Sequence, residues 1–194
     1  VDGAFGVSNI SADGKFQIDV NTGIITVYGA LDYEALPTNQ KYYDELVYVT
    51  DDQPSGARQS SATVRINVND QNDAPVLNAA TYSVNEQATG GPQAPVITLT
   101  YNDVDTIPTN KNLVFAITGG DSNGYWGINN LGKLWLQKDL NYEALYPYNT
   151  TFNLTVDVWD GGAVGVGLHD SKQITVNVTN VDEIPTAGYT LGIT

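Results

Sequence analysis

Alternation of apolar and polar residues runs through this chain and restricts its fold more than any other feature. In "SATVRINVND", Val64, Ile66 and Val68 fall on one side of the run, with Arg65, Asn67 and Asn69 on the other. "TFNLTVDVWD" repeats the pattern with Phe152, Leu154, Val156 and Val158, and "KQITVNVTN" with Ile174, Val176 and Val178. A period of two over such lengths predicts half-buried strands, one face on a core and one in water. Clusters of Gly, Asn and Asp such as "SADGK", "NTG" and "DGGAVGVG" punctuate the runs. No stretch carries a helical period. The reading is an all-β fold.

The pattern occurs twice. "GKFQIDVNTGIITVYGALDYE" (14–34) lines up with "YWGINNLGKLWLQKDLNYE" (125–143), which places Glu34 and Glu143 109 residues apart. Pro75 and Pro185 are 110 apart. A repeat of that size, built from roughly seven short strands, predicts a β-sandwich. The chain therefore divides into a partial sandwich over 1–74, lacking its opening strands, a complete one over 75–185, and a tail or start of a further repeat over 186–194. Val1 is not an initiator methionine and no leader pattern precedes it, so the expectation is a piece of a larger protein.

Charge narrows the function. The 22 acidic and 8 basic side chains leave a formal net charge of −14, a poor match for nucleic acid or an anionic membrane and a good one for cations. Cysteine is absent, which removes disulfides and thiolate metal sites. No apolar run approaches the ~20 residues of a membrane-spanning helix. His169 beside Asp170 lacks a nucleophile in any recognisable frame, and "GGAVGVG" has no following Lys, so an enzyme is not expected.

The acids are clustered. "LDYE" holds Asp32 and Glu34, "NDQNDAPV" holds Asp70 and Asp73, "VNEQ" holds Glu86, "NDVD" holds Asp103 and Asp105, and "VWDGG" holds Asp160. Carboxylates that converge repel one another unless a divalent cation sits among them. Ca²⁺ suits an oxygen-only set of ~6 to 8 ligands, whereas zinc would want His or Cys, and magnesium fewer protein ligands and more water.

In that order and at that spacing, "LDYE", "DQNDAP", "NEQ", "DVD" and "VWD" resemble tandem cadherin repeats. The resemblance implies seven-stranded Greek-key sandwiches in an elongated, rod-like arrangement, with three Ca²⁺ ions at each junction. It implies that Asp32, Glu34, Asp73 and the carbonyl of Gln71 serve the ions from the first repeat's side. Asn72 and the carbonyl of Ala74 would serve the ion nearest the second repeat, together with Asp103, Asp105, Asp160 and a carbonyl near Asn112. The glutamate of the first repeat's opening strand is missing, so two sites are expected to be partly depleted. The third, of Asn72, Asp103, Asp105 and Asp160, is expected to be intact. Asp51 or Asp52 would match Asp160. At the far end Glu86, Glu143 and Glu183 remain, with Asn141 in place of an aspartate, and weak occupancy is expected there.

The function so implied is that of Ca²⁺-stiffened extracellular repeats in cell adhesion, on the surface of a larger, membrane-anchored protein. The partners would be other copies or adjacent repeats. An alternative is a structural repeat of a surface filament, its missing strands supplied by a neighbouring chain. Sequons at Asn9, Asn149, Asn153 and Asn177 mark candidate glycosylation sites. Trp159 is expected on an outer face. Trp126 and Trp135 flank a Gly-rich turn, and together these three are the candidates for a carbohydrate-binding platform.

Overall fold

Each alternating run forms a strand in the computed structural model, which describes residues 2–4, 9–51, 56, 58–88 and 90–183. Asp52, Pro185 and the segment 186–194 lie outside the described residues. The chain divides into two compact units, Val1–Gln71 and Asn72–Thr194.

The first unit carries β1 (Asp2–Ala4), β2 (Phe16–Ile18), β3 (Ile25–Val27), β4 (Tyr42–Thr50) and β5 (Gln59–Asn67). β4 and β5 pair antiparallel along their whole length, from Tyr42 opposite Asn67 to Thr50 opposite Gln59. β2 and β3 form a second antiparallel pair, and β1 lies parallel to β4. Phe16 and Tyr43 meet edge to face in its interior, with ring centres 5.2 Å apart.

The second unit carries β6 (Val76–Leu77), β7 (Thr81–Asn85), β8 (Ile97–Thr98), β9 (Tyr101–Asn102), β10 (Val114–Gly119), β11 (Trp126–Ile128), β12 (Lys133–Leu136), β13 (Thr151–Trp159) and β14 (His169–Thr179). A 3₁₀ turn spans Pro108–Lys111, and a single α-helical turn, α1, spans Tyr142–Leu145. One sheet runs β10-β13-β14-β7, with β7 parallel to β14. The remaining strands pair as β11-β12-β8 and β6-β9. Leu154, Val156 and Val158 of β13 and Ile174 and Val176 of β14 are fully buried with Leu134, and Trp126 stands edge-on to Phe152 at 5.6 Å. Burying one such aliphatic side chain is worth about 1.5–3 kcal/mol. A one-residue slip of either strand would turn every one of them to water, so the alternation itself sets the register.

Shifted by 109 or 110 residues, β2–β5 of the first unit correspond to β11–β14 of the second. Their burial differs. Ile174, Val176 and Val178 are buried, but Val64 is 36% exposed and Ile66 and Val68 only half-buried. In the second unit β7 lies beside β14, and β6, β8 and β9 add further cover. The described residues of the first unit hold no counterpart of these four strands. Without such cover among the described residues, the buried face expected for β5 is not formed.

Two aromatic expectations also change. Trp159 does not stand on an open face: it is 8% exposed and stacks on His169, its partner in the strand register, at 6.1 Å and 21°. His169 opens β14. Trp126 is a core residue and Trp135 lies close over Gly127, so the three tryptophans form no platform.

Candidate metal centres

Three strand ends deliver the acids at the head of the second unit. Pairing of β6 with β9, Val76 opposite Asn102, is followed at once by Asp103–Asp105, and β13 ends by delivering Asp160. All three carboxylates are interior: Asp103 is 5% exposed, Asp105 1% and Asp160 1%. The Asn72 amide nitrogen donates to Asp160 Oδ2 at 2.7 Å, and the main-chain N–H of Asp73 donates to Asp105 Oδ2 at 3.1 Å. Two adjacent residues thereby hold both carboxylates. The Asp105 N–H donates to Asp103 Oδ1 at 3.0 Å. Asp103 Oδ2 is buried with no hydrogen-bond partner. Burial pushes the Asp103 carboxyl above its ordinary value and the neighbouring Asp105 charge adds to this, against the Asp105 N–H and the Lys111 ammonium.

A buried carboxylate oxygen without a donor is costly, and a proton or a cation offsets that cost. Asp103 and Asp105, linked by the Asp105 N–H, and Asp160, held by Asn72 next to the Asp73 that bonds Asp105, offer hard oxygens of the kind Ca²⁺ takes. Asn72 turns its nitrogen towards Asp160, so its oxygen would ligate only after the amide turned over.

The loop after Asp160 supports these acids, a role that sequence reasoning does not assign to it. The Leu168 N–H donates to Asp160 Oδ1 at 2.9 Å, and the Gly162 N–H to the Asn112 carbonyl at 2.9 Å. Asn112 thus spends a lone pair on closing the 161–168 loop, while Ala74 is exposed. A Cβ at Gly167, which has φ +84°, would collide with Asp160 Oδ1, and one at Gly162 with the Asn112 amide. The run "GGAVGVG" directly after Asp160 is the one sequence signal for this cradle. Asn110 and Lys111 also reach Asp105, from the 3₁₀ turn.

In the first unit, carboxylate oxygens of Glu34 and Asp70 lie within 4.8 Å of each other. Neither Asp70 oxygen has a hydrogen-bond partner. Asp32 is exposed and caps a turn, accepting from the Ala35 N–H at 2.9 Å. Gln71 bends its side-chain amide onto the Asp70 carbonyl at 2.8 Å. Asp51 accepts from the Arg58 N–H at 2.9 Å while its own N–H reaches the Arg58 carbonyl. Asp160 makes the same pair of bonds with Leu168, so Asp51 matches it in this bonding, while Asp52 lies outside the described residues.

At the other end of the second unit, carboxylate oxygens of Glu86, Glu143 and Glu183 lie within 4.8 Å of one another. N–H groups of Val181 and Tyr142 hold the Glu86 carboxyl below its ordinary value. Asn180 donates to Glu143 at 2.9 Å. The charges of Glu143 and Glu86 push Glu183 upwards. Of the sequon residues, Asn149 and Asn153 are exposed and Asn177 half-buried on β14. Asn9 is half-buried and takes a positive φ of 59°.

A cadherin-domain family model matches residues 80–179. Rat protocadherin Fat 2 is 30% identical over 174 residues, which is 89% of this chain and 4% of that protein. Mouse cadherin-related family member 2 is 31% identical over 180 residues, 88% of this chain and 13% of that protein. The chain therefore spans a small fraction of the curated relatives it matches. Among solved structures, mouse cadherin-23 EC22-24 is 29% identical with a TM-score of 0.63, covering 88% of this chain and 51% of that one. The two-fold sequence repeat, the sandwich of the second unit and these matches agree: the chain belongs to the cadherin family.

Proposed function

We propose that this chain is a pair of calcium-binding, extracellular cadherin repeats in a larger surface protein, and that Ca²⁺ at their junction stiffens them for cell adhesion. The chain is on this reading a binding and mechanical module, not an enzyme. The observation that carries it is the interior trio Asp103, Asp105 and Asp160, with Asp103 Oδ2 left without a donor. These residues, with Asn72, would hold one ion. Glu34, Asp70 and Asp73 would serve the depleted positions beside it, and Glu86, Glu143 and Glu183 a weaker site.

Ca²⁺ supplies two charges that offset carboxylate repulsion. The chain's own contribution is to hold the oxygens in place, by N–H donation from Asp73, Asp105 and Leu168. Extracellular modules bind Ca²⁺ at roughly 10⁻⁴–10⁻³ M. Calorimetric titration of the whole chain with Ca²⁺ tests the reading. We expect binding in that range, with the strongest component lost in Asp105→Ala; absence of any binding heat or thermal stabilisation by Ca²⁺ would overturn it.

A second reading is favoured by one observation, the exposed Val64 and half-buried Ile66 on β5, with half-buried Val68 just beyond it. These could be covered by strands of a neighbouring chain in a surface filament. A mass that grows with concentration would support that reading, and a monomer throughout would remove it.

A further inference from the structure

Among the described residues of the second unit, one cationic side chain bonds a member of the Asp103–Asp105–Asp160 constellation. The Lys111 ammonium donates to the main-chain oxygen of Asp105 at 3.0 Å. The 3₁₀ turn Pro108–Lys111 places it there: Pro108 opens the turn, the Asn110 N–H bonds the Ile107 carbonyl at 3.0 Å, and the Asn110 amide lies 3.5 Å from Asp105 Oδ1. Lys111 itself is exposed, so its long stem is free to leave. Asp103 Oδ2, buried and undonated, lies two residues from the carbonyl that anchors the ammonium.

We infer that Lys111 is a built-in counter-cation of this centre, which lowers its affinity for a divalent ion and steadies the acids when no ion is bound. The inference rests on the calcium reading above. Asp103 and Asp105, joined by the Asp105 N–H, are both interior and like-charged, and an ammonium held beside them offsets part of their repulsion in the ion-free state. A divalent ion then meets a site whose effective negative charge is reduced by one unit. Ligand charge count is among the quantities that set calcium affinity, so the lysine moves the working range upwards in concentration.

A purely structural role for Lys111 makes the opposite prediction, since breaking the turn would disorder the ligands and weaken binding. The test is calorimetric Ca²⁺ titration of the whole chain as wild type, Lys111→Met and Lys111→Arg, with thermal unfolding in EDTA and in saturating Ca²⁺. We expect Lys111→Met to bind about three- to tenfold more tightly, as loss of one like charge near a divalent ion implies. Lys111→Arg should stay within about twofold of wild type, and the difference between Met and wild type should shrink with added salt. In EDTA, Lys111→Met should unfold at a lower temperature than wild type, and in saturating Ca²⁺ it should not. Unchanged or weaker binding by Lys111→Met overturns the inference while wild-type binding leaves the calcium reading standing. If wild type and both variants all fail to bind, the calcium reading falls first, and the inference with it.

Discussion

Asp160 illustrates how much of a site depends on residues with no chemistry of their own. It is 1% exposed, and its carboxylate is aimed by the Leu168 N–H at the end of the loop that follows it and by the Asn72 amide. That loop closes only because Gly167 adopts φ +84° and leaves room where a Cβ would strike Asp160 Oδ1 and approach Gly161 N to 2.6 Å. Gly167→Ala should therefore cost about 1–3 kcal/mol, from left-handed backbone strain and the displaced loop together. It should also weaken Ca²⁺ binding, because Asp160 is no longer held. Urea unfolding with and without Ca²⁺ checks both effects. Gly165, at φ +77° with nothing within 4 Å of the place a Cβ would take, serves as the control: there alanine should show the strain without the loss of binding.

At the scale of elements, Asp170 joins two strands that are far apart in sequence. On β14, it accepts from the N–H of Leu77 on β6 at 2.9 Å and from the Lys172 ammonium at 2.6 Å. Burial opposes its charge, but the Lys172 ammonium and the N–H groups of Leu77 and Ser171 outweigh burial and hold the carboxyl below its ordinary value. A depressed acid stabilises the fold above its unfolded value of about 3.9 and loses that contribution as pH falls through the lower folded value. Asp170→Asn should cost about 1–2 kcal/mol at pH 7. In urea unfolding the gap between the two proteins should close progressively below about pH 4; a gap that stays constant to pH 2 would sink the assignment. The strands themselves were legible, since period two is a property of each segment and needs no partner. Alternation alone does not report cover: β5 and β14 alternate alike, yet among the described residues only β14 has β7 beside it, and the sequence sign of uneven cover was the offset of the repeat. For Asp32 the resemblance implies a ligand, and the sequence carries no hint that its Oδ1 also caps a turn through the Ala35 N–H. Lys111 gave no signal because its partner is a main-chain carbonyl, to which residue identity is blind.

For the whole molecule, the two units differ in what they can sustain alone. The contiguous hydrophobic core, from Leu77 to Val178, lies within the second unit. Among its described residues the first buries Phe16 and Tyr43 as its apolar side chains, and fully buries Glu45 where the second buries Leu154. Residues 72–183 expressed alone should unfold in one cooperative transition, and residues 1–71 alone should show none by circular dichroism. The remaining prediction concerns the two together. Tenfold excess of Ca²⁺ over its dissociation constant adds only about 1.4 kcal/mol per site, small beside the roughly 5–15 kcal/mol of a domain. The same energy is large for a hinge, which has no core to oppose its motion. If Glu34 and Asp70 share ions with Asp103, Asp105 and Asp160 as proposed, chelation acts on the linker first. EDTA should then broaden the distance distribution from small-angle scattering, while the second unit keeps its strand signal and its cooperative unfolding. Lowering the ionic strength should enlarge the effect, because unscreened carboxylates repel over a longer range. Scattering profiles that EDTA leaves unchanged, in a protein that calorimetry shows to bind Ca²⁺, would separate ion binding from stiffening and leave only the former.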